Sequence, residues 1–193
     1  MWAITVALLC AAIFVLGIAF WVYYRDIVTE ELSPNRWSWL IWTIEMWMQA
    51  VTYEGLNNDL VKSAAIFVAA IGCTAVFVRT WQRAAWKKPN PTETVCVLMS
   101  VAALVVWVGF GSVFWAHYLV VGAVPIAFLP TWQNAWRHPR EERSSAWVLW
   151  TTADVLTLAV IMVRFDEINE LPYIIVEIVC HAIVAIIVWR RLT

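Results

Sequence analysis

Three features of the sequence predict an all-α membrane protein. They predict seven transmembrane helices, arranged as two parallel triple-helix bundles joined by a linker helix (3+1+3), with the N-terminus outside and the C-terminus inside. Of the 193 residues, 63% are hydrophobic and only 14% are charged. The basic residues gather on alternate connections, and a short tryptophan motif occurs twice at equivalent places. A soluble domain carries about 25% charged residues. A chain with this little polar surface cannot cover a water-soluble globule, and lipid is its natural solvent. The net charge of −1 gives no reason to expect nucleic acid as a partner.

A helix needs about 20 apolar residues to cross the hydrocarbon core. Residues 1–24 carry no charge and supply the first span. No basic segment precedes it, and Leu8-Leu9-Cys10 lacks the small residue of a lipoprotein cleavage site, so it reads as a retained helix rather than a cleaved signal. The second span is 37–53, with Glu45 in its middle, and the third is 63–81. Residues 94–136 are uncharged, too long for one span and right for two. Gly109-Phe110-Gly111-Ser112 and His117 offer the break of a helical hairpin. The sixth span is 145–163, containing Asp154. The seventh is 171–189, containing Glu177 and His181.

Orientation follows from the basic residues. Arg25, Arg36, Arg79, Arg83, Lys87, Lys88, Arg137, Arg140, Arg143, Arg190 and Arg191 all fall on one side. Only Lys62 and Arg164 fall on the other, where Glu54, Asp59, Asp166, Glu167 and Glu170 add an acidic bias. A missed span would scramble this alternation. Many of the fifteen tryptophans, among them Trp2, Trp81, Trp86, Trp136 and Trp189, sit near span ends as an interfacial belt. The four cysteines lie singly in apolar runs and read as small core residues.

The second span contains Trp39-Leu40-Ile41-Trp42-Thr43 and the sixth Trp147-Val148-Leu149-Trp150-Thr151, each following a loop with a proline, Pro34 or Pro139. This repeat divides the chain into residues 1–88, a first triple-helix bundle; 89–111, a linker helix; and 112–193, a second bundle. A single linking span makes both triplets enter the bilayer in the same direction, a parallel repeat. On these features, with the stretches 34–42 and 128–139, the chain resembles the SWEET and PQ-loop superfamily of 3+1+3 membrane transporters. The paired W-x-x-W is also similar to that of bacterial nicotinamide-riboside transporters. The resemblance implies a bacterial inner (plasma) membrane protein that carries a small polar solute by alternating access. The chain has no Pro-Gln dipeptide, and its first helix has no proline to match Pro130, so a substrate does not carry over.

At 3.6 residues per turn, Trp39, Trp42, Met46 and Gln49 share a face, with Glu45 at its edge. Trp147, Trp150, Asp154 and Thr157 do the same in the sixth span. Placed face to face, they would make an aromatic-walled pocket with carboxylates at its floor. Indole faces stack on sugars, nucleobases and flat or cationic solutes. An ionisable residue at mid-bilayer faces a cavity or a partner. Glu45 and Asp154 therefore either line a binding site or fasten helices by hydrogen bonds. Glu177 and His181, four apart, can pair directly, as a proton relay, a solute site or a structural pair. His117 reads as interfacial and His138 as a solvated loop residue. Pro130, a turn and a half after Pro125, is a hinge candidate by the same resemblance, or a static kink.

The reading is a facilitator or proton-coupled carrier of a sugar, nucleoside, vitamin or similar solute. The alternative is a seven-helix receptor that binds without transporting. An enzyme is not expected, since no Ser/His/Asp pattern, metalloprotease motif or phosphate-binding glycine loop is present. A retinal photoreceptor is excluded because Lys62, Lys87 and Lys88 all lie at span ends or in loops. No cofactor or metal is implied. The partners are a small solute and the lipid bilayer, with homo-oligomer formation left open.

Overall fold

The computed structural model describes residues 2–29, 32, 34–83, 88–139, 142 and 144–190. Trp86, Lys87, Arg140, Arg143 and Arg191, which enter the sequence patterns above, lie outside the described residues. The described residues form seven α-helices: α1 (Trp2–Val28), α2 (Arg36–Asn57), α3 (Leu60–Arg83), α4 (Pro91–Phe110), α5 (Val113–Arg137), α6 (Ala146–Val163) and α7 (Leu171–Arg190). A single 3-10 turn, Ile168–Glu170, leads into α7.

The helix limits have local causes. Asn35 caps α2, its side-chain oxygen accepting from the Trp37 N–H at 3.0 Å. Asn58 ends α2 in the left-handed conformation, φ 53°. A reciprocal capping box opens α4: the Glu93 N–H donates to Asn90 Oδ1 at 2.9 Å, and the Asn90 N–H donates to Glu93 Oε2 at 2.6 Å. Gly111, φ 66°, stops α4, a conformation open to glycine without strain. Ser112 then caps α5. The long uncharged stretch thus breaks within the Gly109–Ser112 segment singled out in the sequence. Pro125 and Pro130 both sit inside α5, each withdrawing one N–H from the helical ladder.

Six of the seven helices are long and apolar enough to cross a membrane, and the chain is an integral multi-pass membrane protein. The exception is α2. Arg36, Glu45, Gln49 and Glu54 lower its hydropathy, and four tryptophans do not compensate. Half of its residues are buried, including Arg36, Glu45, Gln49 and Thr52, because it packs on α3, α5 and α4. The surface of the bundle is apolar: α4 exposes Leu98, Val101, Leu104, Val105 and Val108. Polar residues go inward instead, as expected when the surroundings are hydrocarbon. Trp2, Trp81, Trp136 and Trp189 are exposed close to helix ends.

The larger interhelix contacts outside α4 fall into matched pairs. α1 packs on α3 as α5 packs on α7; α2 packs on α3 as α6 packs on α7; and α1 meets α6 as α2 meets α5. α4 lies apart from this pattern, against α5 and α2. At the end where α2 meets α3, ion pairs tie one half to the other. Lys62 Nζ, whose side chain is fully covered, donates to Glu170 Oε1 and to Asp166 Oδ2, both at 2.7 Å. Arg164 Nε donates to Asp59 Oδ2 at 2.7 Å. Partial burial by itself would raise the Asp59 pKa. The hydrogen bond and charge of Arg164, with the N–H groups of Val61 and Lys62, outweigh it and hold the carboxyl below its ordinary value. The stabilisation from this pair is therefore present above the ordinary carboxyl range and lost as pH falls through the depressed value.

The Asp166 arm is largely solvent-exposed and contributes little. The Glu170 arm is enclosed. Removing one partner of an enclosed pair strands the other charge, at about 3 kcal/mol. Lys62→Met should destabilise the purified protein by that order in detergent unfolding. Lys62→Met/Glu170→Gln should recover most of the loss, and a double variant no better than the single would refute the pairing.

Candidate functional site

The two tryptophan motifs face one another across the centre of the bundle. Trp39 and Trp42 on α2 have ring centroids 5.0 Å apart, and Trp147 and Trp150 on α6 are 4.9 Å apart. Across the interface, Trp39 meets Trp150 at 6.2 Å and Trp42 meets Trp147 at 6.2 Å. Phe20 on α1 reaches Trp150 at 5.3 Å, and Phe128 on α5 reaches Trp42 at 5.1 Å. The spacing in sequence from Phe20 to Phe128 equals that from Trp39 to Trp147. The threonines of the motif do matching work: Thr43 donates to the Trp39 carbonyl at 2.7 Å and Thr151 to the Trp147 carbonyl at 2.8 Å. These bonds satisfy the hydroxyls within their own helices and leave the rings to the interface.

The rings wall a cavity of about 70 Å³, which all nine pocket residues read from the sequence line: Trp39, Trp42, Glu45 and Gln49 from α2, Trp147, Trp150 and Asp154 from α6, and Glu177 and His181 from α7. The cavity is large enough for several waters. Pro130, the hinge candidate, is half-buried in α5 and does not line it.

The polar groups are unequally satisfied. Asp154 Oδ2 and His181 Nδ1 are 2.7 Å apart. Glu177 Oε2 stands 3.9 Å from the same nitrogen. The imidazole therefore turns from its own-helix neighbour toward α6, where it also stacks on Trp150, centroids 5.7 Å apart and planes 25° apart. The four-residue spacing placed Glu177 and His181 together correctly, but the hydrogen bond belongs to Asp154. Glu45 is 1% exposed and Gln49 fully buried, yet no described residue bonds either Glu45 oxygen or either Gln49 amide atom. The same holds for Glu177 Oε1 and for the indole N–H groups of Trp42, Trp147 and Trp150. A buried polar group without a partner costs about 1–3 kcal/mol. Among the described residues, no three His, Cys, Asp or Glu side chains are grouped to hold a metal ion.

The symmetry of the rings does not extend to the charges. At the position matching Glu45 stands Ala153; Asp154 matches Met46, Glu177 matches Ala69, and His181 matches Cys73. All four counterparts also line the cavity. The cage is built twice and its titratable groups once.

Other residues were not visible as site residues in the sequence. Tyr173 lines the cavity and packs edge-on against Tyr53, centroids 4.4 Å apart. Tyr23 covers the opposite end, 5.0 Å from Trp39 and 5.2 Å from Trp150. Equal spacing could have found Phe20 and Phe128; no signal marks the tyrosines. His117, expected at the interface, is instead fully buried, with Nδ1 3.0 Å from Thr52 Oγ1 and its ring beside Tyr53. It lies one turn inside α5, and α5 packs on α2 over that turn, which the span boundary alone could not show. His138 is exposed just past α5, as expected.

Comparison of the chain with protein-family models, with curated proteins and with solved structures finds no match.

The cage depends on one close approach. A Cβ at Gly72 on α3 would collide with the Phe20 ring. Overpacking of this kind costs about 1–3 kcal/mol. Gly72→Ala should lower the thermal midpoint and alter tryptophan fluorescence through Trp150, and the added Phe20→Leu should restore the midpoint. A Gly72→Ala protein as stable as the parent would show that Phe20 is not seated there.

Proposed function

We propose that the chain is a seven-helix carrier of a small polar solute, of the SWEET and PQ-loop type, in which α1–α3 and α5–α7 are two like-oriented bundles joined by α4. The observation that carries the reading is the cavity at the interface of the two halves. Each half contributes the same aromatic residues at matched distances, around polar groups that no described residue satisfies. Transporters built on parallel repeats bind their solutes near the midplane between the repeats. The matched helix contacts support the 3+1+3 arrangement.

On this reading α2 is the seventh span. Its 22 residues reach about 33 Å, enough for the hydrocarbon core. Its polar residues are shielded by α3, α4 and α5. The distribution of basic residues supports N-out, C-in. Pro130 would be the flexible point of α5 during the exchange of open faces.

Proteoliposomes holding the purified protein should take up at least one member of a radiolabelled panel of sugars, nucleosides, vitamins and amino acids. Trp42→Ala and Trp150→Ala should each cut initial uptake by more than about tenfold, as truncating a central tryptophan anchor typically does, while the protein stays folded. Normal uptake in both variants would sink the assignment of the site. A solute that stabilises the protein yet never enters sealed vesicles would favour a receptor instead.

A further inference from the structure

We infer that the solute is a small organic cation, an amine or quaternary ammonium that also carries an oxygen acceptor, held in one orientation. This rests on the cavity being the solute site, as proposed above.

The charge inventory of the cavity is one-sided. Glu45, Asp154 and Glu177 line it, and among the described residues no lysine or arginine does. Among the described residues that line it, His181 is the one basic group, and it is already engaged with Asp154 at 2.7 Å. That leaves Glu45, neither of whose oxygens a described residue bonds, and Glu177, whose Oε1 none bonds, both more than nine-tenths buried. Carboxyl groups in such a place need a counter-charge or donors from whatever occupies the cavity. An anionic solute, such as a phosphate ester or a carboxylic acid, would add repulsion and find no cation.

The walls agree with the charge. Trp39, Trp42, Trp147 and Trp150 line the cavity, and tryptophan is the best cation–π partner among the side chains, worth about 2 kcal/mol or more when desolvated. The cage thus suits a cation whose apolar groups bury its charge. The indole N–H groups of Trp42, Trp147 and Trp150 are donors for which no described residue is an acceptor. A hydroxyl or carbonyl on the solute would answer them, while its ammonium answers the acids.

The single copy of each titratable group fixes the orientation. Ala153, Met46, Ala69 and Cys73 stand where symmetry would have repeated Glu45, Asp154, Glu177 and His181. A symmetric aromatic cage accepts a solute either way round; acids supplied once do not.

The test compares shapes that differ only in charge. Thermal unfolding of the purified full-length protein is followed with choline and with its neutral isostere 3,3-dimethylbutan-1-ol, and with tyramine against 4-propylphenol, sodium chloride serving as the ionic-strength control. At least one cation should raise the midpoint in a saturable way, with half-saturation at least about tenfold below that of its neutral partner. Glu45→Gln and Glu177→Gln should each weaken that cation's binding by at least about tenfold. If either variant fails to fold, the wild-type comparison still decides. Equal stabilisation by the neutral partners, or stabilisation by neither cation, overturns the inference. Vesicle uptake separates it from the carrier reading: a cation that binds but does not cross removes the carrier and leaves the cation site. A neutral solute that crosses while no cation binds removes the cation site and leaves the carrier.

Discussion

Four tryptophans meet at the centre of this bundle. Trp39 and Trp42 on α2 lock against Trp150 and Trp147 on α6 through two contacts of the same length, 6.2 Å. Each aromatic pair adds about 0.5–1.5 kcal/mol beyond the area it buries. Much of the remaining architecture follows from seating them. Gly72 is bare so that Phe20 can close on Trp150. Phe128 closes on Trp42 from α5, and the motif threonines bond backward into their own helices. The cavity lies among these rings.

What fills that space is decided by the bilayer. In lipid, a polar group finds no water to fall back on, so one turned inward must meet another protein group or a solute. Most of the buried polar residues meet protein. Asp26 accepts from Ser144 at 2.8 Å, Lys62 holds Glu170, and Thr52 meets His117. Among the described residues, nine of the fifteen buried side-chain atoms without a hydrogen-bond partner line the cavity: both oxygens of Glu45, both amide atoms of Gln49, Glu177 Oε1, the Tyr173 hydroxyl and three indole N–H groups. Structural polar contacts spread through a fold in pairs. On the proposed reading, the unpaired donors and acceptors around this one cavity are what a solute would complete.

Much of this was legible in the sequence because the signals were local. Hydropathy marks a helix whose surface meets lipid, and α1, α3, α4, α5, α6 and α7 have such surfaces. α2 is different: its length, its caps and its tryptophan motif are readable, but its composition is that of a helix enclosed by other helices. Glu45, Gln49, Asp154, Glu177 and His181 could be named because a titratable or amide group inside an apolar run is conspicuous. Which of them bond to which could not be read. The Asp154–His181 contact joins two helices, and the four-residue rule that proposed Glu177 for His181 sees only one. His117 was misplaced for the same reason, since its burial comes from α2 packing over the first turns of α5. Tyr23, Tyr53 and Tyr173 pass in sequence for ordinary interfacial aromatics.

The two ends of the cavity are closed in different ways, and on the proposed reading this sets which end opens at lower cost. Near the start of α2, closure is aromatic: Tyr23 lies over Trp39, Trp147 and Trp150. Opening there exposes apolar area at about 25 cal/mol per Å², and only the Tyr23 hydroxyl and the Asp26–Ser144 contact regain hydration. At the opposite end Lys62, Asp166, Glu170, Arg164 and Asp59 bridge the halves. Separating those ions loses their pairing but returns each to solvent, and hydration offsets much of the loss. The tyrosine pair beneath, Tyr53 and Tyr173, gains hydration of its hydroxyls as it parts. Opening at the ion-paired end therefore costs less than opening at the aromatic one. Reaction of Tyr53→Cys and Tyr23→Cys with a water-soluble maleimide reads the difference directly, and a faster Tyr23→Cys reaction would reverse the order.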